Sequence, residues 1–155
     1  MTTSPSIDNY YVGKGVVTFA GNQLGNCPLF TFTPKITKLD HFSSMHGTKI
    51  KDKSIVLSKE GTLAITLEEW TEDNLAIALL AGSGGTGIYS SSEVQGEVIF
   101  TGANDVGPKL TTTFPTVNFI PSKALSLISD TWGAIELEGD VLADEHGSFG
   151  SFSVT

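Results

Sequence analysis

The sequence predicts a mainly β domain: an antiparallel sandwich or barrel with one helix, about 71–81, packed on its sheet. Three observations lead there. Apolar and polar residues alternate along 55–70 and 132–142, the two-residue period of a strand with one buried and one wet face. A single stretch, 71–81, carries both a helix start and a helix stop signal. The 155 residues include seventeen glycines and six prolines, too many turn formers for a helical bundle. The length fits one domain, 1–155, large enough to bury a core without disulfides or metals.

Taken in order, residues 1–9 are polar and read as a flexible arm. Tyr10 to Ala20 is rich in Val, Phe and Tyr and reads as a strand ended by Gly21-Asn22. Leu29 to Phe42 alternates, with Phe30, Phe32 and Pro34 on one side; Pro34 suggests an edge or a bulge because it cannot donate to a ladder. Ser43 to Ser54, SSMHGTKIKDKS, is long for a hairpin turn. Lys49, Lys51 and Lys53 recur there at strand period and would share one face of a projecting arm. Residues 43–54 are therefore a candidate extended contact loop, with an ordinary surface loop as the simpler alternative.

In Ile55 to Trp70, Leu63, Ile65 and Leu67 face one way and Thr62, Ala64, Thr66 and Glu68 the other. Thr71 is an N-cap candidate, followed by Glu72 and Asp73, where the helix dipole favours acids. Leu75, Ala76, Leu79 and Leu80 form the apolar face, and Gly82 is the expected left-handed stop. GSGGTG, 82–87, is a connection. Val94–Thr101, Leu110–Ile120 and Trp132–Leu142 read as further strands, with turns at 102–105 and around Ser129-Asp130. In the last strand Glu136, Glu138 and Asp140 share one face and Ile135, Leu137 and Val141 the other. Three carboxylates in a row repel one another, so their face must meet water. The C-terminal 146–155 reads as a flexible arm or a late strand.

Net charge is −8, every basic residue is Lys, and there is no Arg, a balance that argues against a nucleic-acid grip. The charge is unevenly divided. Residues 1–59 hold seven Lys against Asp8, Asp40 and Asp52, whereas 60–155 hold Lys109 and Lys123 against fourteen acids. The split is either a solvated surface with chance clustering or a positive and a negative face for head-to-tail self-association. One cysteine, Cys27, forbids an internal disulfide and fits a reducing compartment. No run approaches the ~18 apolar residues of a membrane-spanning helix, so no membrane contact is expected.

Catalytic and cofactor motifs are not expected. GSGGTG follows the helix instead of preceding it and lacks a Lys-Ser/Thr end. His41 and His46 with Asp40 lack the HExxH or Cys spacing of a metal site, and Cys27 has no His-paired context. Glu68-Glu69 and Glu136/Glu138 are more simply solvated acids than a glycosidase pair. No enzyme, metal or cofactor is predicted.

The chain as a whole resembles the major tail tube proteins of long-tailed, siphophage-type bacteriophages. The resemblance is carried, in order, by YYVGKGVVTFAG, the LGNCP entry, DHFSS before a basic loop, TEDNLA at Thr71–Ala76, and FIPSKALSLISDTWGAIELEGDVLAD with Trp132 and the acids after it. The appended immunoglobulin-like domain of some such proteins has no counterpart here.

The resemblance implies homohexameric rings whose sheets join into a continuous inner barrel and stack into a tube that guides the genome into the host. It places the protein in the virion tail after assembly in the host cytoplasm. The implied partners are further copies of itself, the tape measure protein, the tail terminator and the distal tail proteins, with DNA passing through without specific binding. In that setting Lys49, Lys51 and Lys53 are inter-ring contacts, and Glu136, Glu138 and Asp140 are candidates for the lumen wall. Two alternatives remain: the inner tube of a contractile tail or secretion-like apparatus, and a carbohydrate-binding β-sandwich using Trp70 or Trp132.

Overall fold

A computed structural model describes residues 5–82 and 85–155. Eight antiparallel strands and one short helix make up the domain. They are β1 (Gly15–Phe19), β2 (Asn22–Gln23), β3 (Leu29–Ser43), β4 (Ile50–Leu67), α1 (Glu72–Ala78), β5 (Val94–Gly102), β6 (Leu110–Ile120), β7 (Ile135–Val141) and β8 (Ser151–Val154), preceded by a 3-10 turn at Ile7–Asn9. The strands form one sheet in the order β2-β1-β5-β6-β7-β4-β3. β8 pairs with the Leu110–Thr113 half of β6, and β7 with the Val117–Ile120 half.

The sheet is mainly β and antiparallel, as the sequence predicts, but it is a single open sheet. It is not divided into the two layers of a sandwich, and no ladder among the described residues closes it. It is nevertheless strongly rolled. Phe30 on β3 stacks on Phe100 of β5 with ring centroids 5.5 Å apart, although three strands separate β3 from β5 in the ladder. In a flat sheet those strands would lie about 19 Å apart. The concave face gathers one core: Val17 and Phe19 of β1, Val98 of β5, Val117 and Phe119 of β6, Ile135, Leu137 and Val141 of β7, and Leu63, Ile65 and Leu67 of β4. Glycines make room for the large rings there. A Cβ at Gly61 would lie 2.5 Å from the Phe32 ring, and one at Gly139 would lie 3.0 Å from that of Phe119.

The helix lies over β6 and β7, burying Ile77 and Ala78. Its Thr71 cap is as expected: the Asn74 backbone N–H donates to Thr71 Oγ1 at 3.2 Å. Buried Asn74 then donates through Nδ2 to the carbonyls of Leu24 and Glu69, both at 2.9 Å, fastening the helix start to the loop after β2. The helix ends earlier than 81. Leu80 takes the left-handed conformation (φ 55°), and the Ala81 N–H returns to the Ala76 carbonyl at 2.9 Å. That closing bond ends the helix at Ala78, with the left-handed residue at Leu80, two positions before Gly82. Replacing Thr71 by Ala should cost about 1 kcal/mol, read as a shift in the urea midpoint at constant slope.

Other boundaries also move. The strand expected over Tyr10–Ala20 is ordered as β1 only from Gly15, and its turn is Ala20-Gly21, both at positive φ, with Phe19 opposite Asn22. The strand expected from Trp132 begins at Ile135. Of the two readings for the C-terminus, Ser151–Val154 form the late strand. Ser83 and Gly84 of the GSGGTG connection, and residues 1–4 of the N-terminal arm, lie outside the described residues.

Candidate assembly surfaces

The most distinctive surface is a ribbon. β4 pairs with β7 only from Gly61 to Leu67, whereas β3 and β4 continue to pair with each other out to Ser43 and Ile50. Beyond the Pro34–Gly61 pair the two strands therefore leave the sheet as a two-stranded arm about 30 Å long. The proposed contact loop 43–54 is thus half strand: Ser43 belongs to β3, Ile50–Ser54 belong to β4, and 44–49 alone form the tip.

The arm carries six of the nine lysines: Lys35, Lys38, Lys49, Lys51, Lys53 and Lys59. Between them Ile36, Leu39, Phe42, Ile50, Ile55, Val56 and Leu57 stand exposed. Register puts Ile36, Phe42 and Val56 on one face and Leu39, Ile50 and Ile55 on the other. Large apolar groups exposed on both faces of a ribbon are unusual for a solvated element, which makes the arm a candidate contact surface.

The three lysines at the arm's end do not share a face. The ladder shifts register between His41 and Phe42, so Lys51 pairs opposite Phe42 while Lys53 pairs opposite His41. Side-chain bonds agree. Lys51 Nζ lies 3.1 Å from Asp40, which also accepts a 2.6 Å hydrogen bond from Ser54, while His41 meets Asp52 at 2.7 Å. The inserted Asp52 breaks the two-residue period that the spacing suggests. The Ser54 hydroxyl and then the Lys51 ammonium hold the Asp40 carboxyl below its ordinary value. Because folding lowers this pKa, its stabilisation of the arm is present above the unfolded value of about 3.9. It is lost as pH falls through the folded value. Lys35 meets Glu60 at 3.6 Å at the arm's root.

The second surface is the outer face of the sheet at β7. Glu136, Glu138 and Asp140 all point there, opposite the buried Ile135, Leu137 and Val141, as their alternation predicts. Their paired neighbours on that face are Thr62, Ala64 and Thr66 of β4 and Asn118 and Ile120 of β6, with Leu29, Thr31 and Thr33 of β3 beyond. Ser122 donates to Glu138 at 2.7 Å. This stretch of the outer face is anionic and carries several hydroxyls, and these paired positions include no lysine. Successive carboxylates about 6.6 Å apart repel by roughly 0.6 kcal/mol in water, a modest cost for keeping them on one solvated face.

The third surface lies at the end of the sheet opposite the arm. There the β6–β7 loop exposes Leu127, Ile128 and Trp132, the last at 97%. Trp132 is therefore neither core nor part of a strand, while Trp70 packs against Gly133. Glu68, Glu69, Glu72, Asp73 and Glu93 share this end. Beside α1 opens a cleft of about 270 Å³ lined by Phe19, Leu24, Asn74, Ile77 and Val94. Cys27 is half-buried, donates to the Leu29 carbonyl at 3.1 Å, and has its thiol pKa pushed up by burial. His41 is engaged with Asp52, and among the described residues no cluster of three His, Cys, Asp or Glu is arranged to hold a metal. Nor is any helix among them long and apolar enough to cross a membrane.

The exposed apolar arm and the Leu127–Trp132 loop were not legible as surfaces from the sequence. The available signal was lysine interleaved with apolar residues on both sides of Leu39–Phe42 and Ile55–Leu57, a pattern that neither a core strand nor a wet face would keep. A family model described as Protein of unknown function UCP028589 matches residues 10–86, from before β1 to past α1 and including the whole arm. No curated protein matches the chain.

Proposed function

We propose that the protein is a structural subunit of a siphophage-type tail tube, in which homohexameric rings stack into a conduit for the genome. The observation that carries this reading is the arm, a ribbon about 30 Å long with apolar side chains on both faces and most of the chain's lysines. Left in water it would be an aggregation hazard, whereas burial between ordered copies turns the same groups into an interface. The open sheet supports it as well. β3 at one edge, and β1 beyond its two-residue partner β2 at the other, leave backbone groups free to pair with neighbouring copies. Pairing around a ring would remove both edges and complete the barrel that the single chain leaves open.

In such a ring the anionic outer face at β7 lines the bore. Duplex DNA carries one charge per ~1.7 Å, and a lysine-lined wall would hold it through counterion release. A wall of carboxylates and hydroxyls repels it within a Debye length of about 8 Å at physiological salt, so it acts as a non-stick lining. The role needs no catalytic residue, metal or cofactor. Its partners are the other copies, the tape measure, terminator and distal tail proteins, and its place is the virion tail after assembly in the host cytoplasm.

Single cysteines at 136, 138 or 140, in a Cys27→Ser background, test the assignment. In assembled polymer a bulky maleimide should label them at least about tenfold more slowly than in monomer, because the bore restricts access. Equal rates would place these residues on the outside and discard the lumen role. The inner tube of a contractile tail would share these surfaces and is separated from this reading by a sheath around the native particle. The exposure of Trp132 favours the carbohydrate-binding reading, which a glycan array on monomer would support.

A further inference from the structure

The arm tip and the α1 end occupy opposite ends of the same strand. β4 runs eighteen residues from Ile50 at the tip to Leu67 beside the helix, a separation of about 55 Å if the strand is straight. The chain's own arm therefore cannot reach its own helix end, but a second copy displaced along the strand direction brings the two together.

Their chemistry is complementary. At the tip Met45 is 87% exposed, flanked by Phe42 and Ile50 and by Lys49 and Lys51. At the helix end the 270 Å³ cleft has an apolar floor of Phe19, Leu24, Ile77 and Val94 and carries Asp73 and Glu93 in its lining. A methionine is unbranched and adaptable enough to fill such an irregular cleft. Carboxylates at the cleft would meet lysines beside the methionine, which favours this docking direction over the reverse.

We propose that the cleft between α1 and the β1–β2 turn is the receptor for the arm tip of a second copy, with Met45 as the inserted side chain. This rests on the tube reading and names the surface the arm contacts. The contact is heterologous, joining different patches on the two copies, and with each copy displaced along the strand direction it propagates along an axis. It also gives Asp73 and Glu93 of the α1 end a cationic partner from the neighbouring copy.

The test is disulfide capture in Cys27→Ser protein carrying Met45→Cys and Gln95→Cys, the second at the cleft. Oxidising the polymer should give a ladder of covalent dimers, trimers and higher species, absent from dilute monomer. A control pairs Met45→Cys with Ser129→Cys in the exposed β6–β7 loop. Polymer that forms without a ladder, or that ladders through Ser129→Cys instead, overturns the receptor assignment and leaves the tube reading standing. Failure to polymerise at any concentration removes both. Independently, Asp73→Lys with Glu93→Lys should raise the protein concentration at which polymer appears by about tenfold or more. An unchanged threshold overturns the assignment.

Discussion

Excising residues 35–60 and joining Pro34 to Gly61 through Asn-Gly should leave a folded monomer that no longer polymerises. Pro34 and Gly61 are register partners, so a two-residue turn can close the shortened hairpin without disturbing the ladder. No buried core residue lies in the excised segment. The thermal midpoint should therefore move by no more than about 2–4 °C, the shift expected from ~1 kcal/mol in a domain of this size. Self-association should be lost completely, because the segment carries six lysines and the exposed apolar groups of the arm. Circular dichroism and sedimentation separate the two effects. A graded version, Lys49→Glu with Lys51→Glu and Lys53→Glu, retains the ribbon but reverses its charge, and should also stop long polymers. Because the register shift sends Lys51 and Lys53 to opposite faces, neither face keeps its full positive charge in that variant. Normal polymers from either variant would show that the arm is not the contact.

The largest loss of stability should come from Phe119→Ala, at about 3–5 kcal/mol. Phe119 is 1% exposed, meets Phe19 edge-to-face at 5.1 Å, and covers Gly139 on the neighbouring strand. Truncation removes the transfer energy of the ring and leaves a cavity across β1, β6 and β7, which the surrounding ladders keep from collapsing. Against a total of about 5–15 kcal/mol, that is enough to bring the fold near its limit. Glu136→Gln, one residue from Ile135 on β7 but on the wet face, is the control and should change stability by less than ~0.5 kcal/mol. Urea unfolding of both proteins at pH 7 gives the comparison. A Phe119→Ala cost below 1 kcal/mol would mean that the concave face is not the core.

The parts of the fold that sequence made legible are those with a local cause. β6 runs over Leu110–Ile120 as expected because a run dominated by β-branched and aromatic residues, broken only by Pro115 and Asn118 after its leading Leu110, is bounded by turn formers. The β7 alternation places Ile135, Leu137 and Val141 inside and the three carboxylates outside because a central strand with one dry face leaves no other register. Thr71 caps the helix through a bond spanning three residues. Features set by partners distant in sequence were not legible. Alternation reads the same in one rolled sheet as in two stacked ones, so the single open sheet was hidden. The half of β4 that leaves the sheet has strand composition like the half that stays, and only the Pro34–Gly61 pairing marks the division. The extra residue at Asp52 separates Lys51 from Lys53 through a cross-strand register that spacing along one strand cannot reveal. Trp132 has high strand propensity, yet nothing adjacent indicates that the chain turns it fully outward.

We propose that the copies polymerise end to end, basic arm to acidic base, into a hollow tube. Negative-stain imaging of the purified protein over rising concentration tests it directly. Rings followed by open-ended tubes of uniform width, with stain filling the bore, are expected. A population of separate single copies at every concentration, with and without the tail partners, would contradict it.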